Sequence, residues 1–311
     1  MNKLFLSILF FFFIVSLYAQ DHPDFELIHK VKTSTVKSQD ITGTCWSYTT
    51  ASFIESEILR SGKKEFDISE MYFVYYAYLD KAIDYIRFHG KANFSEGGQA
   101  HDVMNVIRKY GLVPESEFSG KQYEGKYHNH SEMAKFLTSV LDITVKDMEK
   151  VPKTWELAFK SILNGYLGKV PQKFLYEGKE YTPQSFNKEI TGINPDNYIE
   201  FTSYSHHPYY TDIDLEVPDN WSHDRYYNVP LEDLMKIMNN AFENGYSVAW
   251  DGDVSEKGFN HTTGKTDLTE DDKEVLKNTD YQTFRQTTFD NFTTTDDHLM
   301  HIVGMAKDKE G

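Results

Sequence analysis

The chain has a single cysteine, Cys45, among 311 residues. That excludes a disulfide within the chain and any zinc site of the several-Cys type. With 9 Pro and 18 Gly, collagen-like and low-complexity chains are excluded as well. Positive charge is scarce: 32 Lys+Arg against 48 Asp+Glu leave a net charge of −16. Basic residues cluster no further than pairs such as Lys63-Lys64, so the face that would neutralise DNA or RNA phosphates is missing. The same balance opposes docking on anionic membranes. No 18-residue apolar run lies beyond residue 20, so no later segment reads as a membrane span. Aromatic residues are plentiful: 21 Tyr, 22 Phe and 4 Trp supply enough apolar surface to exclude disorder. The length suits one large domain or two of roughly 100–200 residues.

Residues 1–20, MNKLFLSILFFFFIVSLYAQ, hold the one long apolar run. Lys3 supplies a positive start, Leu4 to Leu17 form the apolar stretch, and Ala19 offers a small residue for cleavage. This reads as a secretory signal over 1–19 rather than a membrane anchor; the bland alternative is an uncleaved N-terminal helix. The expected mature protein is exported, free of the membrane, and about 292 residues long. Thiols outside the cytosol tend to be oxidised unless they are used, so an unpaired Cys45 calls for an explanation.

Apolar spacing predicts helices over 42–61, Met71–Tyr85, Gln99–Tyr110, Ser131–Leu141, Lys153–Leu163 and Val229–Asn244. Asp67 or Ser69 would cap the second of these. Tyr246–Trp250 and Leu299–Ala306 read as strands, and 251–297 as polar and turn-rich. Residues 120–225 show no clear period. Helices first and strands late indicate an α+β fold with segregated layers.

Cys45 sits where the first helix starts. Unpaired N–H groups and the helix dipole there favour thiolate. Gly43 permits close backbone approach. The Gln39 amide, six residues upstream, could donate to an oxyanion beside the sulfur. A thiolate nucleophile also needs a base within hydrogen-bond reach. The bland alternative for Cys45 is a small buried hydrophobe.

The run Gln39-x5-Cys45-Trp46-Ser47 resembles the nucleophile segment of the papain-like cysteine peptidases. Thr42, where many members carry a disulfide Cys, is similar to the bleomycin hydrolase and aminopeptidase C branch. So are Glu96-Gly97-Gly98-Gln99, Lys109-Tyr110-Gly111-Leu112-Val113-Pro114, and Val229–Val254. The resemblance covers most of 36–120 and 228–306. It implies one peptidase domain over 20–311, with a helical left lobe around a central nucleophile helix, a β-rich right lobe, and a large insertion at about 120–225. It implies a peptide or protein substrate, with Trp46, Gly97 and Gly98 lining the cleft; without it Gly97-Gly98 is an ordinary turn.

The resemblance also calls for a His at the head of a late strand. Asp297-His298-x5-Gly304 matches its offset. The rival, His301, is three residues on and so faces the opposite side of a strand; strand geometry alone does not choose. An Asn in an Asn-Ser-Trp-Gly-like segment should follow, to orient the imidazole. No such segment occurs before Gly311, so the sequence resembles a C-terminally truncated member.

Metal chemistry finds little support. His101, His206 and His207 lack the spacing of an H-E-x-x-H site and read as surface or structural residues. Asp251-x-Asp253-x-Ser255 lacks the Gly and Glu of a calcium loop and reads as acidic surface. Asp267–Glu274 reads as a solvated loop or short helix. The expected activity is acyl transfer without metal or cofactor, with Cys45 as nucleophile, His298 as base, and Gln39 in the oxyanion site. The alternatives are a catalytically impaired peptide-binding protein on the same fold and, third, a metallohydrolase. The branch forms a ring-like hexamer; assembly of this chain is left open.

Overall fold

The computed structural model describes residues 25–121, 127–146 and 150–309, so the proposed leader at 1–19 lies outside it. A strand not anticipated from the sequence comes first, β1 (Glu26–Lys30). It is largely exposed and shows no apolar alternation that would have marked it.

The helices follow the predicted order. α1 (Cys45–Arg60) buries Trp46, Ala51, Ile54 and Ile58. Ile54 and Ile58 each contribute about 1.5–3 kcal/mol on leaving water. Arg60, in the last turn, forks onto the Glu57 carboxylate at 2.8 and 2.9 Å, and Gly62 turns the chain away at φ +81°. α2 (Glu70–Arg87) is capped by Ser69, whose hydroxyl accepts from the Tyr72 N–H. α3 (Ala100–Tyr110) opens with a reciprocal capping box between Gln99 and Asp102. α4 (Ser131–Lys146) and α5 (Thr154–Tyr166) pack behind α2. Rings fasten these layers, as where Tyr76 of α2 stacks on Tyr110 of α3 at 3.8 Å.

The region without a clear period contains a hairpin, β2 (Phe174–Tyr176) and β3 (Lys179–Tyr181), and a single helical turn, α6 (Pro183–Phe186). It also contains β4 (Phe201–Thr202), β5 (Thr211–Asp214) and β6 (Arg225–Asn228), in a sheet of order β4–β6–β5. Strands of two to four residues are too short to display alternation.

α7 (Leu231–Glu243) and β7 (Val248–Gly252) fall where expected. The polar stretch after them holds β8 (Phe259–Asn260), β9 (Lys265–Thr266), α8 (Glu270–Leu276) and α9 (Tyr281–Asp290). Neither helix shows a buried apolar stripe: α8 buries nothing and α9 only Gln286.

The late strand is two strands, β10 (His298–Ile302) and β11 (Gly304–Lys307), broken at Val303. β10 pairs antiparallel with β7, from His298 opposite Gly252 to Ile302 opposite Val248. β11 pairs with β1. Among the described residues no helix is long and apolar enough to cross a membrane.

Candidate active site

Cys45 heads α1 after Thr44, whose side chain makes no cap bond, and the Ser47 N–H turns back to the Thr44 carbonyl at 3.0 Å. The thiol receives backbone hydrogen bonds from Leu299 and Trp46. Burial nevertheless pushes its pKa up, and the negative charges of Asp251 and Asp219 push the same way. The expected bias to thiolate is therefore opposed: burial raises the thiol's pKa although two backbone N–H groups reach the sulfur.

The register of β10 on α1 separates the two histidines. Leu299 bonds the Cys45 sulfur, and its carbonyl accepts from the Thr49 hydroxyl at 2.7 Å, one turn further along α1. His301 lies further down, its Nδ1 2.9 Å from the Ser52 hydroxyl and its ring edge-on to Phe53. Ser52 follows Cys45 by seven residues, about 10 Å along a helix, beyond hydrogen-bond reach of the sulfur. His298 is at the Cys45 end, next to Leu299. Its approach is fastened by Asp297, whose carboxylate accepts the Val254 and Ser255 N–H groups at 2.8 and 3.2 Å.

Burial lowers the His301 pKa to about 4. The unfolded chain then binds a proton between about pH 6.5 and 4 that the folded chain refuses, so stability falls with pH across that window. Relative to His301→Asn, the parent should lose about 2 kcal/mol between pH 7 and pH 4.5. Urea unfolding at both values checks this; equal pH slopes would rule it out.

The glycine pair sits on the other side of Cys45. The Trp46 indole donates to the Glu96 carbonyl at 3.0 Å, and the Glu96 carboxylate accepts the Gly43 N–H at 2.8 Å. A methyl on Gly98 would come within 2.5 Å of the Asp102 carboxylate and 3.1 Å of the Trp46 ring, so only glycine fits there. Beneath the pair is Lys81, with no exposure at all, donating from Nζ to the Ser95 and Gly97 carbonyls. Cys45, Trp46, Gly97 and Gly98 are thus brought together. Gln39 stands on the loop before them, with its amide donating to the Thr42 carbonyl at 2.6 Å and the Thr42 hydroxyl bonding back to the Gln39 carbonyl. That uses one of its two amide N–H bonds.

The model of the Peptidase C1-like family matches residues 15–311. This chain belongs to that family. Among its relatives are Aminopeptidase G of Lactobacillus delbrueckii subsp. lactis, 23% identical over 90% of this chain and 73% of that protein, and Aminopeptidase C of the same organism, 22% identical over 90% and 72%. Cysteine proteinase 1, mitochondrial, of Saccharomyces cerevisiae (strain JAY291) is 23% identical over 81% of this chain and 61% of its own length. The crystal structure of PepW from Lactobacillus rhamnosis HN001 superposes with a TM-score of 0.67 and 21% identity, over 91% of this chain and 72% of that one. The fold is the papain-like α+β fold expected from the sequence, and this Peptidase C1-like chain is a cysteine-type peptidase similar to the aminopeptidase C branch.

Sequence reading missed the acidic wall of this peptidase. Asp251, on β7 opposite Leu299, is not on a solvated surface: its Oδ2 accepts from the Gln99 amide at 2.8 Å, and burial raises its pKa to about 7. Burial also lifts Asp296 to about 6. Asp219 contributes its charge to both. Nothing local in the sequence marks Asp219 or Asp296. Lys81 could have been found, because it lies three residues after Tyr78 and seven after Val74 on the buried face of α2.

The other polar clusters are structural. His101 is buried, with Nδ1 2.7 Å from the Glu200 carboxylate; burial alone would lower its pKa, but Glu200 holds it at about 9. Asp253 accepts from Ser255 and Thr295 and ties two turns together. His206, His207 and Glu216 place ligand atoms within 4.8 Å of one another and could face a divalent cation. However, Gln286 Nε2 donates to His206 Nδ1, so His206 carries its proton on Nε2 and gives it to Glu216 at 3.1 Å. Gln286 cannot flip, since its oxygen accepts the Ser205 N–H at 2.6 Å. That tautomer withholds the lone pair a metal would need.

Proposed function

We propose that this chain is an exported, aminopeptidase-like cysteine peptidase. Its reaction runs from Cys45 and His298. The observation that carries this reading is the register of β10 on α1: Leu299 bonds the Cys45 sulfur, and its neighbour His298 heads the strand. His298 takes the Cys45 thiol proton as the sulfur attacks the substrate carbonyl carbon. The oxyanion that forms is received by the Cys45 backbone N–H and the remaining Gln39 amide N–H. His298 then returns the proton to the departing amine as the C–N bond breaks, leaving a thioester. Water, deprotonated by the same imidazole, releases the acid and regenerates the thiol. Burial opposes loss of the thiol proton, so a base is needed at the sulfur, which suits a His at the Cys45 end of β10 better than one bonded to Ser52 two turns away.

Aminopeptidase character is supported by the names of relatives, and export by the leader-like residues 1–19. The test is release of aminomethylcoumarin from aminoacyl amides by the purified chain, with N-terminal sequencing of the secreted protein. Turnover blocked by a thiol alkylator and a start at Gln20 are expected. Peptide binding without turnover would leave the impaired peptide-binding reading in its place.

A further inference from the structure

We propose that segment 217–221 is a strap across the cleft at Cys45, and that Asp219 on it receives the ammonium of substrates with a free amino terminus. This rests on the peptidase reading above. The strap, Val217-Pro218-Asp219-Asn220-Trp221, comes from the insertion and touches both walls of the cleft. On the glycine side, the Asn93 amide donates to the Pro218 carbonyl at 2.7 Å and to Asp219 Oδ1 at 3.3 Å, and Ser95 donates to the same oxygen at 3.2 Å. The Trp221 indole donates to Asp102 at 2.9 Å. On the histidine side, the Asp219 backbone N–H donates to the carboxylate of Asp296, two residues before His298.

The Asp219 carboxylate points at the glycines. A methyl built on Gly97 would lie 1.9 Å from Oδ2, so carboxylate and glycine backbone are in direct contact. Asn93 and Ser95 occupy Oδ1, whereas among the described residues no hydrogen bond reaches Oδ2. The charge of Asp219 is felt at the Cys45 thiol, as is that of Asp251. Asp219 also acts on Lys81, beneath Gly97, supporting its charge against the burial that lowers its pKa. A strap bonded to both walls would stop a substrate chain from continuing past it. A chain that ends there presents an ammonium with three N–H donors, which Oδ2 of Asp219 can accept.

The test measures the rate at which Cys45 of the full chain is alkylated, by mass spectrometry, using alanyl and alanyl-alanyl chloromethyl ketones and their N-acetyl forms. The free amine should react about ten- to a hundredfold faster than its acetylated counterpart, the range for a hydrogen-bonded charge. In Asp219→Asn, which keeps the Ser95 and Asn93 bonds, the preference should fall to within about twofold. Asp219→Ser gives the same comparison should the first variant not fold. Equal rates in the parent, or a preference that survives loss of Asp219, would overturn the proposal. So would an acetyl-lysyl reagent as fast as the free alanyl one, because the site would then read any cation. If iodoacetamide labels Cys45 and no peptidyl reagent does, the peptidase reading itself falls.

Discussion

Cys45→Ala is expected to lower hydrolysis of aminoacyl amides by about 10⁵-fold, and His298→Ala by a comparable factor. The two act on one proton and one bond, so the double variant should be little worse than either single one. His301→Asn is the informative control. Its imidazole bonds Ser52, not the thiol, and burial keeps it unprotonated down to about pH 4. It should therefore retain kcat/KM within about tenfold, any loss coming from the packing of α1 on β10. Steady-state assays at pH 7 with active-site titration check this set. A His301 variant as dead as the Cys45 variant would reassign the base, and a Cys45→Ala protein that still turned over would remove the nucleophile.

The sequence made the left side of this site legible because helices advertise themselves. Ala51, Ile54 and Ile58 mark α1, and the spacing from Gln39 to Cys45 and Trp46 falls on its start. The His298 strand was legible through its neighbours, but the choice between His298 and His301 needed the register against Thr49 and Ser52. What stayed hidden is set by long-range pairing. β1 is exposed and pairs with a strand nearly the whole chain away. The charges of Asp219, on the segment before β6, and of Asp251, on β7, both act on Cys45, a proximity that no local pattern encodes. The thiol's upward shift was missed for the same reason, since the helix start is a local feature and burial is not. The polar Asp251–Ser255 run shows the limit from the other direction. Its composition suggested solvent, yet Asp251 turns inward to Gln99 while Asp253 closes a turn.

Lys37→Met should destabilise the protein by about 3 kcal/mol at pH 8 and by about 1 kcal/mol at pH 5.5. Lys37 lies on the loop before Gln39 and reaches back between two helices. Its ammonium bonds Glu55 of α1 at 3.2 Å and Glu70 of α2 at 2.6 Å, and those carboxylates are 1% and 5% exposed. Burial works against the charge on Lys37, but Glu70 and Glu55 outweigh it and hold the pKa above the usual lysine range. Burial also lifts Glu70 to about 7 even with Lys37 beside it. The folded state thus binds a proton on Glu70 more tightly than the unfolded one, and stability declines as pH rises from about 4.5 through 7. Removing the ammonium leaves both glutamates without their cation, so the decline should extend to higher pH and deepen. Methionine keeps most of the stem's apolar contact, which isolates the charge. Urea unfolding of parent and variant at both pH values decides it: an equal loss at pH 5.5 and pH 8 would assign the effect to packing. Because the same lysine tethers the loop carrying Gln39 to the helix carrying Cys45, the variant should also lose activity faster than stability as pH rises, a split that ties this buried ion network to the site it frames.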